Sequence, residues 1–185
     1  MGLYMEYSYL KKDIIGIVKE STAKIGYSNN KMHLYYPLAS LNRLTESDFD
    51  EEKMSEALKE FALSKEMLEM SKEPILISNK GERFCITVPA EMVTYIYKEI
   101  EDSPFLLELL KVIQKHDVSF EKIVAVFNKF SDSVVINEME NSDFDFLLYF
   151  GNGVPDDYRY CFKLEGEHII YHRFSSKDYE MLGMD

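Results

Sequence analysis

The stretch from Phe144 to Phe174 constrains the fold more tightly than any other, because apolar and polar residues alternate with period two through three consecutive segments. Successive side chains of a strand point to opposite faces, so Phe144, Phe146, Leu148 and Phe150 line one side of a first strand and Tyr158, Tyr160, Phe162 and Leu164 one side of a second. Setting Phe150 opposite Tyr158 across the loop Gly151-Asn152-Gly153-Val154-Pro155-Asp156-Asp157 brings the two aromatic rows together. It also sets Asp145 opposite Lys163, so both faces favour one register. The next turn, Glu165-Gly166-Glu167-His168, can be read with a two- or a three-residue loop. A type II′ turn opened by Gly166 sends Ile169 and Tyr171 to the aromatic face and keeps His168, Ile170 and His172 off it, so the two-residue loop is preferred. The opposite face then gathers Arg159, Lys163, His168 and His172 near Cys161 and Tyr149.

That gathering is notable because the chain of 185 residues has 33 acidic against 21 basic residues and a net charge of -12. Such a balance argues against nucleic acid as a partner, since phosphate binding needs a basic footprint. The length suits one domain spanning residues 1–185. No apolar run approaches the ~20 residues of a membrane span, and Met1-Gly2-Leu3-Tyr4-Met5-Glu6 lacks the basic and apolar blocks of a signal peptide. A cytoplasmic protein without a membrane partner is expected. Cys85 and Cys161 lack CxxC spacing, which leaves two small thiols rather than a disulfide framework or zinc site.

Along the chain, Leu10, Ile14, Ile17, Val18 and Ile25 recur at helical spacing, and Gly26 follows where a helix would stop. Residues 31–36 are short and extended, and Pro37 opens a brief helix with Leu38, Leu41 and Leu44. An acidic run from Thr45 leads into a helix striped by Met54, Ala57, Leu58, Phe61 and Leu68. A hairpin over about 75–88 turns at Asn79-Lys80-Gly81. Pro89 starts a helix carrying Met92, Val93, Ile96 and Tyr97, Ser103-Pro104 starts the next, and Ser119 caps a third with Ile123, Val126 and Phe127. Possible strands follow at 134–139 and at Phe144, an order resembling a winged helix. Its recognition helix would offer only Lys122 and Lys129 against Glu121, too little for DNA. Ser175 can cap a final helix with Tyr179, Met181 and Leu182. The whole reads as an α+β protein: an antiparallel β-meander over about 133–174 and the hairpin, packed with amphipathic helices, which cover the Phe146, Leu148, Tyr160 and Phe162 face.

The candidate chemistry is sparse. His172 with Asp156 or Asp157 is the candidate acid/base pair, although Pro155-Asp156-Asp157 is also ordinary turn chemistry. His168 and His172 are four apart, which spans roughly 13 Å on a straight strand, so they cannot share one ion. No metal or cofactor is expected. Gly151-Asn152-Gly153 completes no phosphate-binding fingerprint, no GxSxG surrounds a serine, and the residue order sets no histidine beside either cysteine.

Leu34-Tyr35-Tyr36-Pro37-Leu38, Arg83-Phe84-Cys85-Ile86, Val88-Pro89-Ala90-Glu91, Asp156-Asp157-Tyr158-Arg159-Tyr160 and Ile170-Tyr171-His172-Arg173-Phe174 together resemble an uncharacterised bacterial family of small stand-alone proteins, a domain of unknown function. That resemblance implies no activity, cofactor or site residue. The aromatic meander with its Phe150-Gly151-Asn152-Gly153 turn is also similar to immunity proteins of the SUKH superfamily, acidic α+β proteins that neutralise toxins. The expected function is binding or regulation, with a protein or an anionic small molecule as partner and Arg159, Lys163, His168 and His172 as its site. The alternatives are an acid/base enzyme such as a hydrolase, or a toxin-neutralising protein. Exhaustive chelation should leave the melting temperature unchanged, because no ion is expected to be linked to folding. A drop of several degrees that zinc or calcium restores would contradict this.

Overall fold

The computed structural model describes residues 6–179. The chain start at residues 1–5 and the expected final-helix residues Met181 and Leu182 lie outside them. The chain divides into two compact units, Met1–Glu101 and Asp102–Asp185, each with its own buried core.

The first unit begins with α1 (Ser8–Ile25), whose Leu10, Ile14 and Val18 are fully buried. Ile25, expected on the same stripe, is 85% exposed. It is the last residue of the helix, and Gly26 turns the chain at φ +86°, a backbone state that glycine adopts without a Cβ penalty. After β1 (Met32–Pro37) and α2 (Leu38–Leu44), the single helix expected from Met54 to Leu68 is two, α3 (Glu51–Ala62) and α4 (Lys65–Met70). The break is chemical: Asp50 caps α3 by accepting the Lys53 N–H at 2.9 Å, and Ser64 restarts the chain as the cap of α4. Leu68, beyond that break, is 39% exposed.

The hairpin is β2 (Leu76–Lys80) with β3 (Arg83–Val88), turning at Gly81 with φ +59°. It does not stand alone. β1 pairs antiparallel along the other edge of β3, giving a three-stranded sheet of order β1-β3-β2. Leu34, Tyr36, Phe84, Ile86 and Val88 face a core that includes Leu10, Ile14, Met54, Leu58 and Phe61 and, from α5 (Ala90–Glu99), Val93 and Ile96.

The second unit carries α6 (Pro104–Ile113) and α7 (Phe120–Phe130), capped as expected by Ser103, which accepts from Leu106 N–H, and Ser119, which accepts from Lys122 N–H. Four strands follow in the order β4-β5-β6-β7: β4 (Val134–Glu138), β5 (Phe146–Phe150), β6 (Tyr158–Glu165) and β7 (His168–Ser175). Phe146 pairs with Phe162 and Leu148 with Tyr160, the expected register. Glu165 pairs with His168, so the second loop has two residues, with Gly166 at φ +61°. The aromatic face packs on the helices: Phe105 meets Phe127, Phe150 and Tyr160 edge-on. Phe144 departs from expectation. Bends precede β5, with Asn141 at φ +55°, so strand parity is lost there. Phe144 packs instead on the opposite face with the cluster of Leu147, Cys161 and Tyr179. Ser175 closes β7, and α8 (Ser176–Tyr179) follows directly.

Phe162 is fully buried in the second core. Phe162→Ala should therefore cost on the order of 3–5 kcal/mol, lost transfer energy plus a cavity, read from denaturant melts. A loss under ~1 kcal/mol would be incompatible with a filled site of this kind.

Candidate functional site

Parity fixes what each sheet shows to solvent. In the second unit the face away from α6 and α7 carries Arg159, Lys163, His168 and His172. Arg159 is half-buried, with its guanidinium 4.0 Å from the centre of the Tyr149 ring and 3.7 Å from Asp157. Lys163 pairs with Glu165 at 3.2 Å, whereas Asp145 accepts the Leu164 N–H at 2.7 Å. His168 and His172 are exposed, and His172 lies edge-on to Phe144 and alongside Phe174. The four residues therefore share a face, but both fixed cations on it already have carboxylate neighbours.

Asp156 and Asp157 are held apart from His172. The Tyr160 hydroxyl donates to Asp156 Oδ2 at 2.6 Å and the Tyr158 N–H to Oδ1 at 3.2 Å. Asp157 accepts the Ser176 hydroxyl at 2.6 Å. Tyr158 pairs with Ser175 and Cys161 with His172, so Asp157 sits about four strand residues, or roughly 13 Å, from His172 along the sheet. The two carboxylates tie the loop to the strand ends. Burial, the largest influence, holds the Asp156 carboxyl above its ordinary value, against the hydrogen bonds from Tyr160 and Tyr158 and the nearby Arg173. Burial also pushes the Tyr160 hydroxyl well up and the Cys161 thiol to about 11.

The first unit presents a different surface. Its open sheet face is a three-by-three array in which His33, Thr87 and Leu76 form one row, Tyr35, Cys85 and Ser78 the next, and Pro37, Arg83 and Lys80 the third. None of the nine residues is acidic. Tyr35 is 61% and Leu76 60% exposed, and the Arg83 guanidinium lies 5.5 Å from the Tyr35 ring centre. Neither Arg83 nor Lys80 forms an ion pair among the described residues. A cleft of about 430 Å³ at one end is lined by Tyr35, Tyr36, Pro37, Lys80, Glu82 and Arg83. At the other end His33 Nδ1 lies 3.0 Å from Thr87 Oγ1 and 3.9 Å from Cys85 Sγ.

This surface was missed at the level of sequence. Alternation alone assigns His33 and Tyr35 to one side of their strand and Arg83, Cys85 and Thr87 to one side of theirs, but nothing local says that the two strands are neighbours. No three His, Cys, Asp or Glu side chains gather as metal ligands among the described residues. Nor is any described helix long and apolar enough to cross a membrane.

Two antiparallel sheets packed by helices define an α+β protein, the second sheet also carrying a small buried cluster with Tyr179 of α8 on its other face. Over residues 7–183 the chain matches the family described as "Domain of unknown function, E. rectale Gene description (DUF3877)", and it belongs to that bacterial family. No curated protein and no solved structure matches it, and nothing in these comparisons supports the likeness to SUKH-superfamily immunity proteins.

The raised Asp156 carboxyl gives a signed prediction. An acid whose folded value lies above its unfolded one binds more protons when folded, so its contribution to stability declines as pH rises through that interval. The stability of the native chain relative to Asp156→Asn should fall as pH rises through the carboxylate range. A difference that stays flat or rises, in chemical melts at a series of pH values, would contradict the assignment.

Proposed function

We propose that this is a cytoplasmic binding protein, regulatory rather than catalytic, which takes an acidic peptide segment on the open face of its first sheet. The observation that carries this reading is the acid-free array of nine residues, with Arg83, Lys80 and exposed Tyr35 and Leu76, in a chain of net charge -12. Tyrosine and arginine dominate binding hot spots, and a local positive surface complements an acidic partner. Size selects the kind of partner. Three strands, each showing alternate residues over a five-residue stretch, measure about 10 by 13 Å, far below the ~800 Å² that each partner contributes to a standard protein interface. A short segment, with one side chain entering the 430 Å³ cleft, suits the face better than a globular surface. The cytoplasmic assignment draws support from the two free thiols, Cys85 and Cys161.

The solvent face of the meander, with Arg159, Lys163, His168 and His172, is the second candidate for an anionic partner. It has less support, because Asp157 and Glu165 already answer its fixed charges. An acid/base enzyme using His172 with Asp156 or Asp157 has less again, since Tyr160 and Ser176 occupy the two carboxylates.

Selection from a random 12-residue peptide library should enrich acidic sequences. Lys80→Glu with Arg83→Glu should abolish that enrichment, whereas Arg159→Glu with Lys163→Glu should leave it. Affinity for a selected peptide should fall steeply with added salt, because exposed charges are screened within about 8 Å at physiological ionic strength. Enrichment that survives the first pair and is lost with the second would move the site to the meander, and no acidic enrichment at all would refute the reading.

A further inference from the structure

The array that would receive the peptide has a cysteine at its centre. Cys85 is half-buried on β3, flanked along its own strand by Arg83 and Thr87 and across the sheet by Tyr35 and Ser78. His33, on the neighbouring strand, brings Nδ1 to 3.9 Å from Cys85 Sγ, and the Thr87 hydroxyl lies 3.9 Å from the same sulfur and 3.0 Å from Nδ1. A nucleophile, a base within reach and a third group that orients the base are the three elements of an activated side chain. Here all three stand on paired strands, which position side chains more rigidly than loops do. Cys161 provides an internal contrast: it is fully buried among Leu147 and Tyr179, and burial pushes its thiol up to about 11.

We propose that Cys85 is a site of thiol–disulfide exchange with anionic low-molecular-weight disulfides, and that His33 is the group that accepts its proton. The Cys85 sulfur attacks one sulfur of the incoming disulfide, whose S–S bond breaks as the new S–S bond forms. Cys85 is thereby oxidised to a mixed disulfide and the departing half is reduced to a thiolate. The thiol proton passes to His33 Nδ1, where the Thr87 hydroxyl can turn to accept from the new N–H, and from there to the departing thiolate. No other oxidant is needed, because the disulfide is the co-reactant. None of the nine face residues is acidic, and Arg83 and Lys80 outnumber Glu82 in the cleft that all three line, which favours an anionic disulfide over a neutral one. Reduction by a second thiol reverses the step.

The inference is read at Cys85 itself and does not depend on peptide binding. The full chain is treated with glutathione disulfide and, for rates, with the anionic aromatic disulfide 5,5′-dithiobis(2-nitrobenzoate), with peptide mass spectrometry locating the adduct. The adduct should form on Cys85, be absent in Cys85→Ser and persist in Cys161→Ser. His33→Gln, on an exposed residue, should slow the reaction at neutral pH at least fivefold and change the shape of its pH–rate profile. Lys80→Gln with Arg83→Gln should narrow the preference for the anionic reagent over 2-hydroxyethyl disulfide at least threefold. Circular dichroism and thermal melts of each variant establish that it is folded. An adduct located mainly on Cys161, or a folded His33→Gln that reacts with an unchanged rate and profile, would overturn the proposal. Should Lys80→Glu with Arg83→Glu abolish peptide enrichment while His33→Gln reacts like the native chain, the peptide reading stands and the thiol proposal fails.

Discussion

A strand whose alternate residues are large and aromatic cannot leave that side in water, and the arrangement of both units follows from this constraint. Burying one such side chain is worth roughly 1.5–3 kcal/mol. A slip of one residue would expose a whole row at once. In the second unit the row is Phe146, Leu148, Phe150, Tyr160 and Phe162, under the rings of Phe105 and Phe127. In the first it is Leu34, Tyr36, Phe84, Ile86 and Val88. What the first sheet presents to solvent is then decided by default, as whatever falls between the buried positions, whereas in the second Leu147 and Cys161 fall between them and are buried with Tyr179.

The legible part of the fold was the part held by short connections. The meander register could be read from Phe144 to Phe174 because each strand meets its neighbour across a loop of known length, and two faces had to agree. The β2–β3 hairpin was legible for the same reason. The pairing of β1 with β3 was not, since Leu34 and Ile86 are joined through three intervening helices and a strand, and nothing local distinguishes β1 from an edge strand of any other sheet. The break after Ala62 was hidden because Leu68 continues the apolar period across it, while a single capping serine, Ser64, ends that continuity. Phe144 was misplaced for the opposite reason: its period is intact in sequence, but bends at 141–143 and 145 reset the parity before β5 begins. The candidate site suffered most, because it sits on the one sheet whose neighbour relation is nonlocal.

Electrostatics separates the two outer faces more sharply than composition could. Exposed ion pairs such as Lys163 with Glu165 contribute little to stability, about 0–1 kcal/mol, yet they lower the field that a ligand would meet. Arg159 is held more firmly, because its half-buried guanidinium stacks on Tyr149 as well as facing Asp157. A cation committed twice within its own unit has less to offer an external anion. Arg83 also stacks on an aromatic ring, that of Tyr35, but at 5.5 Å and with no carboxylate across from it. The same residue type thus serves as internal cement on one sheet and as available charge on the other, and the difference is made by neighbours set by strand pairing.

That dependence ties any chemistry of the first unit to its packing. Phe84 and Ile86 are fully buried, so Arg83, Cys85 and Thr87, one residue out of phase, must face outward together. β1 is subject to the same condition through Leu34 and Tyr36, which sends His33 and Tyr35 to the same side. Cys85 and His33 meet because two independently buried strands share an edge, with no turn or loop to bring them together. A shift of β1 by one residue would send His33 into the core and Leu34 into water, costing burial on the scale of a whole side chain before it altered any distance to the thiol. The contact between thiol and imidazole is therefore as durable as the sheet itself, although neither side chain contributes to the core that maintains it.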